Sequence, residues 1–193
     1  LGLHGGLIDE GSMALIRNGN VTGERKRIDR GFSVTGMALG ESSLYEALIN
    51  EATVLFRGAN YTHEVDTIKE LDNFVSINSA IEVDLFGQVN SEFAGGKQLS
   101  GTGGAVDFMR AAKTSSGGRS IIAMNATAKG GKKSKIVPKV EMVTALRTDV
   151  DIVVTEFGVA RIKDLPVKER GRALVKIAAP EFRDELLADP LFD

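Results

Sequence analysis

Apolar positions recur with helical spacing in some stretches and with strand alternation in others, and the two periods are interleaved from the start. Residues 7–18 predict a helix, with Asp9 placed as its N-cap and Gly19 as its stop. Residues 32–39 read as extended. After Ser42 and Ser43, Leu44, Tyr45, Leu48 and Ile49 repeat at helical spacing. Thr53-Val54-Leu55-Phe56-Arg57 predicts a short buried strand. Further on, residues 74–77 read as strand, and Ile81-Glu82-Val83-Asp84-Leu85 alternates strictly, predicting a half-buried strand with its acids outward. Gly87-Gln88 turns this into Val89-Asn90-Ser91 as a hairpin. Ala105, Phe108, Met109 and Ala112 share one helical face. Strands are predicted over 120–124, 135–140 and 151–155. Two helices close the chain, one with Val167, Gly171, Leu174 and Ala178 on a face, the other starting at Pro180. Such interleaving favours a layered α/β domain. With no long polar linker, residues 1–193 are expected to form one domain.

Composition narrows the function. A chain of 193 residues, 42% hydrophobic, can bury a core without staples. Zero Cys excludes a disulfide framework, a thiolate metal site and a cysteine nucleophile. A net charge of −2 argues against electrostatic binding to nucleic acid or membrane. No apolar run approaches the roughly 18 residues that would span a bilayer. The opening residues lack a basic region followed by an apolar stretch, so no secretory signal is expected and a cytoplasmic location is.

The 22 glycines exceed an ordinary share and point to loops where backbone must come close to something. Chief among them is Leu99-Ser100-Gly101-Thr102-Gly103-Gly104, directly before the helix at Ala105. Bare amides and a helix N-terminus there can cradle a phosphate or stabilise an oxyanion on a thioester carbonyl; a plain strand-to-helix turn is the alternative. Neither G-x-x-x-x-G-K-[ST] nor G-x-G-x-x-G occurs. Lys129-Gly130-Gly131-Lys132-Lys133-Ser134-Lys135 packs four lysines into a loop able to meet anionic phosphates, or simply to be solvated. The two histidines, His4 and His63, have no metal-ligand spacing, and no G-x-S-x-G is present. Among carboxylates, Glu10, Glu82, Glu92 and Glu156 are candidates for chemistry, against surface or capping roles.

Four blocks in order, over nearly the whole chain, resemble the C-terminal domain of the acetyl-CoA hydrolase/transferase family, which includes 4-hydroxybutyrate, butyrate and succinate:acetate CoA-transferases. They are the run from Ser76 to Asn90, Ser100 to Phe108, Thr127-Ala128-Lys129-Gly130-Gly131, and Val153 to Ala160. The resemblance implies an α/β, open-sheet CoA-transferase-type domain with helices packed on the sheet. It implies acyl-CoA and a small carboxylic acid as substrates, no metal or redox cofactor, an N-terminal domain absent from this chain, and a homo-oligomer. Family chemistry is a covalent relay. A glutamate attacks the acyl-CoA thioester, the resulting anhydride is opened by CoA thiolate, and a second carboxylate collects the CoA. Carried onto this sequence, oxyanion and CoA contacts fall to Gly101, Gly103 and Gly104, and orientation of the reacting groups to Asn78. Lys129 is assigned to the CoA phosphates from its charge.

One departure bears on the relay. The family's nucleophilic glutamate closely follows the opening His, and here Leu3-His4-Gly5-Gly6 puts Gly6 in its place. Three functions stay open: a transferase using Glu10 instead, a water-using acyl-CoA thioesterase with His4 as general base, or a non-catalytic CoA-binding domain. Little turnover is expected of this chain by itself, because a site built between domains loses positioning when one is missing.

Overall fold

In the computed structural model, which describes all 193 residues, the helix predicted over 7–18 begins only at Glu10. Leu7–Ile8 (β1) instead pairs in parallel with a later strand, and Asp9 then caps α1 (Glu10–Arg17) by accepting from the Ser12 amide at 2.8 Å. The extended stretch splits into β2 (Ser33–Thr35) and β3 (Met37–Ala38), the partner of β1. Helix α2 (Ser42–Ile49) follows as the spacing predicts, and β4 (Val54–Phe56) pairs in parallel with β2. β4 is not buried as expected; Phe56 stands half exposed. Two single-turn helices, α3 (Ala59–Thr62) and α4 (Val65–Ile68), were not legible. Ile8, Met13, Leu44 and Ala47 form the small core between α1, α2 and these strands. Burying each large side chain there contributes about 1.5–3 kcal/mol.

These elements belong to the first of two compact units, Leu1–Phe74 with Thr114–Gly118; the second is Val75–Lys113 with Arg119–Asp193. No linker separates them. The division falls at the start of a strand, which is why composition shows no boundary there.

The second unit is built on a four-stranded sheet. Its strands are β5 (Val75–Asn78), β10 (Arg119–Ala123), β14 (Ile152–Thr155) and β15 (Gly158–Arg161), in the order β15-β14-β10-β5. The first three run parallel and β15 returns antiparallel at the edge. Between β5 and β10 the chain makes β6 (Glu82–Asp84), β7 (Val89–Asn90), the ribbon β8 (Phe93–Ala94) with β9 (Lys97–Gln98), and helix α5 (Ala105–Thr114). After β10 come the ribbon β11 (Thr127–Ala128) with β12 (Lys133–Ser134), and β13 (Ile136–Val137), which lies parallel to β6. The chain ends with α6 (Val167–Lys176), a 3-10 turn at Pro180–Phe182, α7 (Arg183–Leu187) and a last 3-10 turn at Pro190–Phe192. Open sheets with helices packed on them are the expected fold class.

Strand β6 corrects the alternation reading. Its acids are not outward: Asp84 is fully buried and Glu82 nearly so, while Val83 and Leu85 are buried too. Successive residues point to opposite faces and all of them are buried, so both faces of β6 are covered, and on its edges it pairs with β7 and β13. Asp84 survives there because the Phe86, Gln88 and Val140 amides and the Gln88 side chain all donate to it, at 2.9–3.3 Å. The main core joins Val83 of β6, Met109 of α5, Ile122 and Val153 of the four-stranded sheet, and Leu174 and Val175 of α6 in one buried cluster.

Candidate active site

Parallel strands present their carboxyl ends along one edge, where ligands of open α/β sheets bind. Asn78 closes β5 at that edge, half-buried, its Nδ2 donating to Ser76 Oγ at 2.7 Å. Helix α5 runs back from the same edge, since it carries the chain to the amino end of β10. Its far end confirms the direction: Ser115 Oγ accepts from the Phe74 amide, next to the start of β5, at 3.0 Å. The N-terminus of α5 and the glycine loop before it therefore lie on the carboxyl side.

The loop is held at its foot and open at its tip. Glu92, buried, accepts at its backbone oxygen from the Leu99 and Ser100 amides (2.7 and 3.4 Å), and at its carboxylate from Gln98 Nε2 and Thr144 Oγ1 (3.3 and 3.0 Å). Gln98 also donates to Ser100 O at 2.6 Å. Beyond Ser100, Gly101 and Gly103 have open space around them, and Gly103 takes the left-handed φ of +60° that favours glycine. Neither the Gly103 nor the Gly104 amide has an acceptor within the protein. Gly104 O accepts from Phe108, making the first bond of α5. Two unpaired donors at the mouth of a ten-residue helix form a place for developing negative charge.

Beyond β10 the same edge carries a cationic ribbon. Lys129, exposed and at φ +52°, begins the Lys-Gly-Gly-Lys turn between β11 and β12. Lys133 Nζ meets Glu82 Oε1 at 2.7 Å, which ties the exposed turn to a buried strand. The Lys135 ammonium is held below its ordinary range by burial, an effect that Glu156 and Glu82 oppose. Glu156, just after β14, accepts from the Ala126 amide at 2.8 Å. In sequence Lys133 and Lys135 are only part of a charge run; the Lys133–Glu82 pair depends on β6 burying Glu82.

The other unit holds His4, Gly6 and Glu10. Residues 4–8 run beside 33–38, with Gly5 donating to Val34 O and Gly6 O accepting from the Gly36 and Met37 amides. Gly6 thus sits at a bend between the His4–Val34 bridge and β1, without a side chain to react. His4 is buried, its Nε2 at 3.2 Å from Thr62 O, so the proton sits on Nε2 and Nδ1 is left as an acceptor with no partner. Burial, then the nearby Lys26 ammonium, lowers the His4 pKa and keeps the ring neutral. Glu10 is exposed at the start of α1 and accepts from the Glu41 amide at 2.6 Å, capping α2 from a neighbouring helix. The sheet edge thus assembles Asn78, the Gly101–104 loop and the Lys129 ribbon; His4 and Glu10 belong to the other unit. No group of three or more His, Asp or Glu is arranged to hold a metal ion. No helix is long and apolar enough to cross a membrane.

Residues 40–189 match the family model described as acetyl-CoA hydrolase/transferase C-terminal domain. The 4-hydroxybutyrate coenzyme A transferase of Clostridium kluyveri is 43% identical over 190 residues, covering 97% of this chain and 44% of that protein. The butyryl-CoA:acetate CoA-transferase of Anaerostipes caccae is 37% identical over 195 residues, covering 98% and 44%. Among solved structures, RipA from Yersinia pestis superposes with a TM-score of 0.92 at 43% identity, over 96% of this chain and 42% of that one. The chain spans less than half the length of the curated relatives it matches.

Proposed function

Because the chain belongs to the acetyl-CoA hydrolase/transferase family, we propose that it supplies the CoA-binding, oxyanion-stabilising half of an acyl-CoA:carboxylate transferase or acyl-CoA hydrolase site. The observation that carries this reading is the pair of unsatisfied amides at Gly103 and Gly104, on the carboxyl edge beside Asn78 and the Lys129 ribbon. A nucleophile attacking the thioester carbon pushes charge onto the carbonyl oxygen, and amides at the loop receive it. The C–S bond then breaks and CoA leaves as thiolate. Fixed donors of this kind are each worth roughly 100- to 1000-fold in rate. Gly101 shapes the approach, Asn78 orients the reacting groups, and Lys129 meets the CoA phosphates. An N-terminal domain completes the site, in a homo-oligomeric, cytoplasmic enzyme.

The nucleophile decides between transfer and hydrolysis. Gly6 cannot form an anhydride, and the Glu10 carboxylate already serves as a cap, so transfer through Glu10 has to break that contact. In the second reading water attacks with the neutral His4 ring as base, and since its unpaired Nδ1 is buried, that route requires the ring to open to water. With no cysteine in the chain, a thiol reagent reads released CoA alone. We expect calorimetry to detect acetyl-CoA binding that Lys129→Ala weakens several-fold and added salt weakens further. Unchanged affinity in that variant would reject the phosphate assignment. Thiol release from acetyl-CoA indicates hydrolysis; a new acyl-CoA formed only when an acid is added, with no net thiol release, indicates transfer; binding with neither leaves a CoA-binding domain. Should Glu10→Ala retain full transfer, the displaced-nucleophile route is excluded.

A further inference from the structure

Glu92 is only 7% exposed, and no lysine, arginine or histidine forms an ion pair with it. Its carboxylate oxygens meet one neutral donor each, Gln98 Nε2 on Oε1 at 3.3 Å and Thr144 Oγ1 on Oε2 at 3.0 Å. Two neutral donors leave much of the cost of burying a carboxylate standing, so stability alone does not account for an acid here. Nor does the local backbone need it. Asn90, fully buried, accepts the Glu92 and Phe93 amides on Oδ1 at 3.2 and 3.0 Å and donates to Phe93 O at 2.7 Å. The carboxylate adds a line of contacts running out to the glycine loop. It holds Nε2 of Gln98, and the same nitrogen donates to Ser100 O at 2.6 Å. Ser100 O and the Gly101 amide share one rigid peptide plane, so this contact sets the direction in which the chain enters the loop. From Gly101 to Gly104 no backbone amide has an acceptor within the protein, and three of the four residues are glycine. The next fixed point is Gly104 O, which accepts from Phe108 at the start of α5. A short, unbraced stretch between two fixed ends takes the shape that those ends impose.

We propose that Glu92 is a positioning residue for the thioester: through Gln98 and Ser100, its carboxylate sets where the Gly103 and Gly104 amides stand, and thereby how strongly they draw charge onto the acyl oxygen. Gln98 is the link, and Thr144, whose Oγ1 also accepts from the Ser91 amide at 3.0 Å, braces the carboxylate from behind. The role rests on the loop being the oxyanion site. Because the CoA phosphates fall to the Lys129 ribbon, loss of Glu92 acts on the polarity of the carbonyl and not on affinity.

Carbon NMR of acetyl-CoA labelled at its carbonyl carbon reads that polarity directly, because hydrogen bonds to the oxygen move the resonance downfield. We expect a downfield displacement on binding to the parent chain, more than half of which disappears in Glu92→Ala and in Gln98→Ala, while affinity by calorimetry changes by less than about twofold. Glu92→Gln should retain most of the displacement, since its amide oxygen still accepts from Gln98 and the Thr144 hydroxyl can turn to accept from its NH2. A displacement kept in full by both alanine variants overturns the proposal, as does a Glu92→Gln variant no better than Glu92→Ala. Gln98 is exposed, so its variant carries the test should Glu92→Ala fail to fold. A parent chain that binds acetyl-CoA without displacing the carbonyl resonance refutes the oxyanion reading itself, and the role of Glu92 at the thioester with it. A second measurement needs no ligand. In nitrogen–proton spectra of the free chain, Gln98→Ala and Glu92→Ala should displace the Gly103 and Gly104 amide resonances and leave Gly19, in the first unit, where it is. Loop amides that neither substitution moves overturn the proposal whether or not acetyl-CoA binds.

Discussion

Asp84 offers the sharpest test of the fold that positions the site, because a fully buried carboxylate there organises the whole β6–β7 turn. Asp84→Ala removes the acceptor of three backbone amides and of the Gln88 side chain. The Gln88 amide can turn to water, since that residue is only partly buried, whereas Val140 is almost wholly enclosed. At about 1–3 kcal/mol for each buried donor left unsatisfied, with some water entering the space vacated by the carboxylate, the loss should be about 3–5 kcal/mol. Asp84→Asn keeps the shape and one oxygen for Phe86 and Gln88, but turns an NH2 towards the Gln88 side chain and Val140. Its expected loss is smaller, about 1–2 kcal/mol. Urea unfolding read by far-UV circular dichroism measures both, as a midpoint shift at constant slope. Both tyrosines, Tyr45 and Tyr61, lie in the first unit, so their fluorescence reports that unit separately. An alanine variant costing less than about 1 kcal/mol, or an asparagine variant costing as much as alanine, would refute the assignment of this carboxylate as a paired structural acceptor.

Three further outcomes follow from contacts elsewhere. Since His4 has a lowered pKa in the folded chain, the unfolded chain takes up the proton first; stability is full above the ordinary value of 6.5 and falls as pH drops below it. Melting temperatures from pH 8 to 5 should show this loss, and His4→Gln should flatten it; a parallel decline in that variant would exclude His4 as the cause. Gly23→Ala should destabilise the first unit by more than about 2 kcal/mol. Its φ is +68° and a Cβ would meet the Phe32 backbone N at 2.9 Å, a clash that thermal unfolding followed by tyrosine fluorescence would register. Thr155→Val removes a buried hydroxyl that donates to Ile177 O at 2.6 Å and accepts from the Phe157 amide at 3.1 Å, tying the end of α6 to the sheet edge. That should cost about 1–2 kcal/mol in urea, and an effect indistinguishable from zero would remove the tie from the account.

Much of the architecture is legible because local rules and packing agree. Asp9 as a cap, Gly19 after α1, the 42–49 helix and the Gly87-Gln88 turn all follow from short-range chemistry. Misreadings arise where a long-range partner decides. Leu7 and Ile8 fit a helix until β3 claims them, and β6 looks half-exposed because nothing local shows that both of its faces are covered in the fold. Strand β15 and the two single-turn helices carry too few residues for any period to emerge. At the candidate site, the glycine loop stands out in sequence because glycine runs are rare outside turns. The Glu82–Lys133 pair and the Glu92 anchor do not, since nothing local distinguishes a buried acid from a solvated one.

The two halves of the proposed chemistry are encoded in different ways, and this accounts for what the chain keeps and what it lacks. Stabilising an oxyanion depends on amide positions, which are fixed by a left-handed glycine, a helix start and the Glu92 anchor beneath them. Substituting a neighbouring side chain leaves those donors in place. In the proposed relay, nucleophilic attack depends on one carboxylate, and glycine at position 6, where the resemblance expects that group, supplies none while the strand pairing around it persists. A thioester bound at such a loop remains polarised whether or not a glutamate stands opposite. Any base able to activate water nearby then converts a transferase site into a hydrolase site without altering the sheet, the loop or the lysine ribbon. Hydrolysis that survives Glu10→Ala and is lost in Gly103→Val, where a branched side chain must occupy a left-handed backbone, is the pattern this separation requires.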